Sequence, residues 1–234
     1  MKKVIRTGLI VSLFGLGFSI VGALLAPGYF PVGEQIPVHW GANGEADQFA
    51  SPEIAKYYLW LMPATLLFIT LVMWAAPMLD PFRKNLEQSR KAYGATWVSV
   101  VALMTCLQFG IIASMTGRLE GDTIMIRAIL AGTGVLFVVL GNYLPKTRPN
   151  FFLGIRTPWT LTSSTAWEKT HRLGGPLFML AGLLGCVSAF MLDGIALALF
   201  IPSVVLPMAI GLMIYSYLVW RKADDRISWS DYTA

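Results

Sequence analysis

Six stretches of this chain are long, apolar and almost free of charge: about residues 7–26, 57–79, 94–116, 124–144, 176–192 and 194–220. A helix needs about 20 mostly apolar residues to cross a hydrocarbon core about 30 Å thick. Each stretch is far longer than the ~9–11 residues of a barrel strand, and none alternates polar with apolar side chains. They predict an all-α fold: a polytopic integral membrane bundle of six transmembrane helices. Composition agrees. Of the 234 residues, 56% are hydrophobic and only 13% charged, about half the charge of a soluble domain. A water-soluble globule is excluded, as is a disordered chain, which would need low hydrophobicity and high charge. With only Cys106 and Cys186, a secreted disulfide scaffold is excluded too.

The charges predict orientation. Fifteen of the eighteen Lys and Arg residues lie in the N-terminus, in the segments after the second and fourth stretches, and in the tail. Only Lys56, Arg118 and Arg127 fall on the other side. Basic residues collect on the cytoplasmic side of a membrane protein, so both termini are expected in the cytoplasm. The net charge of +5 is then a topology signal, and no direct contact with nucleic acid is expected. Lys2, Lys3 and Arg6 also resemble the start of a signal peptide. The apolar run behind them is longer than the usual ~7–15 residues, however, and Leu24 would sit where cleavage wants a small residue. The chain divides into 1–79 (two spans with an outside segment, 27–56), 80–144 (the third and fourth spans), 145–175 (a cytoplasmic loop) and 176–234 (the last two spans and a tail). A helical turn is expected around residues 83–90. The tail, polar apart from Trp229, is expected at the headgroup surface or disordered.

Gly8, Ser12, Gly15, Ser19, Gly22 and Ala26 recur every three or four residues. That places six small residues on one stripe of the first span, where helix backbones can approach closely. The stripe is a packing face, and a homo-oligomer seam is the other use it allows. Pro63, Pro202 and Pro207 are expected to kink their spans. No acidic residue lies in the core of a span; Glu120 and Asp122 are expected outside and Asp231 inside. Ion-coupled transporters usually bury a carboxylate, which counts against that class. Arg127 is placed to snorkel to the outer interface, and Gln108 to hydrogen-bond a neighbouring helix. The two histidines, His39 and His171, fall on opposite sides, no Cys/His cluster has ligand spacing, and no nucleophile or phosphate-loop motif occurs. No enzyme activity, metal or cofactor is expected.

Two loops carry the remaining information. The inside one begins Asn142-Tyr143-Leu144-Pro145-Lys146 and passes through Arg148-Pro149-Asn150-Phe151-Phe152 and Gly154-Ile155-Arg156-Thr157-Pro158-Trp159-Thr160. Its prolines push the preceding residues to extended conformations. Phe151, Phe152 and Trp159, interleaved with Arg148 and Arg156, fit an interfacial anchor with guanidinium groups toward phosphates. Thr165-x-x-Glu168 is a capping-box pattern opening a short helix. There Trp167 and His171 share one face and Glu168 and Arg172 pair on another. Gly174-Gly175-Pro176 then allows a bend before the fifth span. In the outside loop, Trp40 suits the interface, Gly41, Asn43 and Gly44 a turn, and His39 either that turn or a pH-sensitive role.

The inside loop closely resembles the signature of the SdpI family of bacterial multi-pass membrane proteins. The matching positions are 142–146, 148–150, 154–160, Trp167 and 169–172. The outside loop resembles a domain that often precedes it, at Pro37, His39, Trp40, Gly44 and Asp47. The resemblance implies immunity to a membrane-active peptide toxin and signalling by holding a cytoplasmic transcriptional repressor at the membrane, without catalytic residues. The binding residues it points to are Asn142, Tyr143, Pro145, Arg148, Asn150, Gly154, Arg156, Thr157, Pro158, Trp159, Trp167, Thr170, His171 and Arg172, with His39, Trp40, Gly44 and Asp47 outside. Expected partners are membrane lipids, a peptide toxin and a repressor. The residues alone also allow a lipid- or small-solute-binding protein without ion coupling, with Arg148 and Arg156 on phosphate.

Overall fold

A computed structural model describes residues 1–41, 44–119 and 124–227. Asn43, Glu120, Asp122, Trp229 and Asp231 lie outside the described residues. The order is α1 (Lys2–Leu25), β1 (Ile36–Trp40), β2 (Ala46–Ala50), α2 (Pro52–Tyr58), α3 (Leu61–Leu79), α4 (Arg83–Gln88), α5 (Arg90–Met115), α6 (Ile124–Tyr143), α7 (Pro158–Leu161), α8 (Ser164–Met191) and α9 (Gly194–Arg221). Among the described residues, six helical segments are long and apolar enough to cross a membrane, with α2 and α3 forming one of them. The chain is a multi-pass helical membrane protein.

The N-terminus and the described part of the tail sit at one end of the bundle. The Met1 amine pairs with Glu87 at 3.2 Å, and the tail returns to the start of α8, where Ile227 N–H donates to Thr162 O. We call this the terminal end. The β1–β2 hairpin occupies the other.

The stripe on α1 lies against α5 of the same chain. A Cβ added at Gly8 would stand 2.5 Å from the Trp97 ring, one at Gly15 2.8 Å from Thr105 Oγ1, and one at Gly22 2.5 Å from Ile112. Trp97 Nε1 donates to Ser12 Oγ at 2.9 Å. Ser12 and Ser19 are fully buried. The stripe is therefore filled from within, which corrects its reading as a homo-oligomer seam: Trp97 already occupies the space a second copy would need.

Antiparallel α6 and α8 approach still more closely. A Cβ on Gly134 would come within 2.6 Å of Gly182 O, and one on Gly182 within 2.4 Å of Gly134 O. Seven residues along each helix the arrangement repeats: Gly141 would meet Gly175 O at 2.5 Å, and Gly175 would meet Gly141 O at 2.8 Å. Backbone thus packs on backbone at two levels, the small-residue mode of membrane helix association.

Prolines in α3 are compensated from α5. Pro63 cannot donate to Leu59 O, and the chain turns at Leu59 and Trp60 between α2 and α3. Gln108 Nε2 reaches that carbonyl at 3.3 Å, the interhelical bond expected of it. Pro77 likewise frees Met73 O, which accepts from the Tyr93 hydroxyl. In hydrocarbon an unpaired carbonyl costs about 2–7 kcal/mol, so these two bonds help fix α3 against α5.

Three further expectations change. Ser164–Met191 is one uninterrupted helix through Gly174, Gly175 and Pro176, because the close contact with α6 holds these residues helical. Its N-cap is Ser163, whose Oγ accepts from Ala166 N–H at 3.0 Å, rather than Thr165, which lies inside the first turn. Glu168 and Arg172 are both exposed and form no ion pair among the described residues. Arg127 reaches the exposed Asp193 at the outer end and also donates to Ala189 O at 2.6 Å, tying α6 to the end of α8.

Replacing Gly141 by Ala should force α6 and α8 apart. Overpacking of this kind costs about 1–3 kcal/mol, expected as a lowered thermal midpoint of the purified protein in detergent. An unchanged midpoint would show the approach to be adjustable.

Candidate functional site

Residues 144–163 form a folded cap over the terminal end. A 3-10 turn, Leu144–Lys146, follows α6. The Pro145 ring packs against Gly175. Beyond it, each turn of the loop is held by a named side chain. Asn150, fully buried, accepts from Phe152 N–H and Leu153 N–H through Oδ1 and donates to Arg148 O through Nδ2. Asp80 Oδ2 accepts from Phe151 N–H at 3.1 Å, Asn85 Nδ2 donates to Pro149 O at 2.9 Å, and Ser89 Oγ accepts from Arg148 N–H at 2.9 Å. The α3–α5 connection is thus the floor on which the loop is built.

Trp167 and His171 form its centre. One helical turn apart, their rings stack with centroids 4.0 Å apart, and both are almost fully buried. Trp167 Nε1 donates to Thr147 O at 3.1 Å. His171 Nε2 lies 2.8 Å from Ile155 N and Nδ1 2.8 Å from Trp167 O. An amide N–H requires an acceptor and a carbonyl requires a donor, so these partners specify the neutral Nδ1–H tautomer. Gly154, at φ +121, lets the loop pass directly over the ring pair; an added Cβ would stand 2.4 Å from His171 Nε2.

Next, Thr157 caps α7 in a capping box with Thr160, and Pro158 occupies its first position, where a missing N–H is harmless. The Thr157 hydroxyl lies 3.0 Å from Ser216 Oγ on α9, and Trp159 packs on Tyr217 of α9 with ring centroids 5.2 Å apart. The loop therefore bridges α3–α5 to α9. Among the expected interfacial aromatics only Phe151 stays exposed, stacked on Phe82. The anchor reading is corrected for Phe152 and Trp159, which are half-buried, Trp159 against Tyr217 of α9.

The remaining candidates sit at the rim. Asn142 accepts from Lys146 Nζ at 3.1 Å, and the same ammonium lies over the Tyr143 ring. Arg156 donates to Phe151 O. Arg148 and Arg172 are exposed. Thr170 is buried, with its hydroxyl unpartnered among the described residues. Arg148 and Arg156 do not converge: they line separate clefts.

At the other end, His39, Trp40, Gly44 and Asp47 belong to a two-stranded antiparallel hairpin where only a turn was expected. His39 faces Gln48 and Trp40 faces Ala46, leaving Asp47 in a bulge. A bulge re-aims a side chain, and here His39 Nδ1 lies 2.6 Å from Asp47 Oδ1. Gly44 takes φ +88 in the turn. Buried Ile36 seats the hairpin on Ala23, Ala26, Ala55, Leu59 and Met115, with Trp40 against the same cluster.

Sequence reasoning missed Asp80, Asn85, Ser89, Ser163, Ser216 and Asp225. The tail proves to be a structural part through residue 227. Asp225 Oδ1 accepts from Ser163 Oγ at 2.6 Å and Oδ2 from Thr165 N–H at 3.0 Å, a carboxylate at the positive N-terminus of α8. Slight burial acts to raise the Asp225 carboxyl; the hydrogen bonds from Ser163 and Thr165 outweigh it and hold the group below its ordinary value. No local motif announces this contact, 60 residues apart in the chain.

Two outcomes are expected. Gly154→Ala, strained in both φ and contact, should destabilise the cap by about 1–3 kcal/mol; altered Trp emission and faster proteolysis at residues 147–163 would report it, and unchanged values would refute the stacked centre. The Asp225 contact, stabilising above the ordinary carboxylate value, should weaken as pH falls through the lowered value of the folded state. Hydrogen exchange at Thr165 N–H should rise over that window and be raised at neutral pH in Asp225→Asn; if wild type shows no acid response, the latch is absent.

Comparison with known proteins comes to the same region. Residues 146–216 match the SdpI/YfhL protein family. The chain is 24% identical over 225 residues to the "Immunity protein SdpI" of Bacillus subtilis (strain 168), covering 96% of this chain and 99% of that one. No solved structure matches it. The similarity seen in the loop thus extends over 96% of the chain, and the match to the SdpI/YfhL family runs from the signature cap into α9.

Proposed function

We propose that this protein gives a bacterial cell resistance to a membrane-active peptide and reports that peptide to the cytoplasm. The observation that carries the reading is the end-to-end similarity to an immunity protein, joined to a signature region that is built as a preorganised cap. In this reading the terminal end, with its basic residues, faces the cytoplasm of the inner membrane by the positive-inside rule, and the hairpin faces out.

The route between the two ends is α8. It carries Trp167 and His171 at the cap and Ala189 at the far end, where Arg127 grips it. A helix of 28 residues spans about 42 Å. A peptide that binds one tilt of α8 better than another shifts the population of cap arrangements. An altered cap then presents the segment around Arg156 and Trp159 to a cytoplasmic repressor, which is held at the membrane. No catalytic step is required.

Expression in a strain sensitive to a secreted peptide toxin should restore growth, and Gly154→Ala, with normal membrane levels, should lose the effect. Unchanged killing by every such peptide tried would overturn the resistance part. Pull-down through a C-terminal tag should recover a DNA-binding protein only from peptide-treated membranes; equal recovery without peptide would overturn the signalling part. External protease on intact spheroplasts should spare that tag, and its loss would reverse the orientation.

A further inference from the structure

The seam between α5 and α6 has the two-part character of a phospholipid. Within the bundle it is an apolar groove of about 360 Å³ open to the side, lined on α5 by Val98, Ala102 and Cys106 and on α6 by Ala128, Gly132 and Leu136. Small residues keep it open: Ala102 and Ala128 leave the space a longer side chain would fill, while Gly132 lets Leu103 pack close, 2.6 Å from where a Cβ would stand. Toward the terminal end the same faces continue. Lys91 lies seven residues before Val98, and Tyr143 seven after Leu136, so helical periodicity keeps each pair on one side of its helix.

There the seam becomes polar and basic. A cleft of about 300 Å³ is lined by Gln88, Arg90, Lys91, Tyr143 and Lys146. Lys146 and Gln88 also line a second cleft of about 390 Å³, with Arg148, Ser164 and Glu168. Small-molecule sites run from roughly 300 to 1,000 Å³. The walls are rigid, because Asn85, Ser89 and Trp167 hold the loop backbone there. The side chains of Gln88, Arg90, Lys91, Arg148, Ser164 and Glu168 make no hydrogen bond or ion pair among the described residues. Arg90 and Lys91 thus line the first cleft, Arg148 and Glu168 the second, and Lys146 lines both, so two adjoining basic clefts stand at the terminal end of the seam.

We propose that this seam is a binding site for one anionic phospholipid. Its phosphate lies between Lys91 and Lys146, within reach of Arg148, and one acyl chain lies in the groove past Cys106. Glu168 accepts hydrogen bonds from the headgroup alcohol, which selects glycerol, a donor, over choline, which has none. The site replaces the pairing of Arg148 with Arg156 considered from sequence, and it is independent of the immunity reading.

The test is native mass spectrometry of the full-length protein released from detergent after incubation with phosphatidylglycerol, phosphatidylcholine or inorganic phosphate. Wild type is expected to retain phosphatidylglycerol at least fivefold over phosphatidylcholine. Lys91→Gln with Lys146→Gln should remove at least fivefold of that retention, whereas Arg221→Gln with Lys222→Gln, which takes two charges from the tail, should not. Ala102→Phe, filling the groove, should weaken lipid retention while circular dichroism shows the helices intact. Glu168→Gln should narrow the headgroup preference. Equal retention of both lipids by wild type, or equal loss in the two charge pairs, would overturn the site. Displacement of the lipid by millimolar inorganic phosphate would assign the cations to a free anion and overturn the lipid.

Discussion

The structure turns on the contact between α6 and α8, where two glycines of each helix place backbone against backbone. Hydrocarbon offers no hydrophobic drive to bring helices together, so close van der Waals approach must supply the association. At Gly134 and Gly182 the contact sets the distance between the helices, and at Gly141 and Gly175 it carries that distance to the terminal end. Pro145 packs directly on Gly175. The position of the signature loop is in this way a consequence of the helix pair beneath it. The same contact keeps Gly174, Gly175 and Pro176 helical, so that the loop helix and a membrane span become one rod.

A second constraint acts on the other half of the bundle. Prolines in a spanning helix leave carbonyls without donors, and lipid cannot supply them. Here α5 supplies both: Gln108 for Leu59 O and Tyr93 for Met73 O. Together with Trp97 against the α1 stripe, these bonds make α5 the common neighbour of α1 and α3. The connection that follows α3 then presents Asp80, Asn85 and Ser89 as fixed hydrogen-bonding groups, and the loop folds onto them. Cap and bundle are parts of one network.

Much of this was legible from the residues. The six spans, the turn at 83–90, the interhelical bond of Gln108 and the shared face of Trp167 and His171 follow from local periodicity, and the structure agrees with each. The signature motif was recognisable because its unusual residues lie close together in the chain. The outside hairpin was not legible, since Pro37 and a bulge interrupt the alternation by which strands are known. The partners of Arg127 were not legible either, because Ala189 O and Asp193 lie more than sixty positions away.

By itself, then, the sequence determined the number of spans, the charge asymmetry between their ends and the identity of the distinctive loop. These depend on hydropathy, spacing and composition, which are local properties. Only the tertiary structure decided that the α1 stripe is used within the chain, that α8 is continuous, that Trp167 and His171 are interior, and that Asp225 caps a helix from the tail. Each of these depends on which distant group satisfies a buried polar atom or fills the space beside a glycine, and that choice is made only when the helices meet.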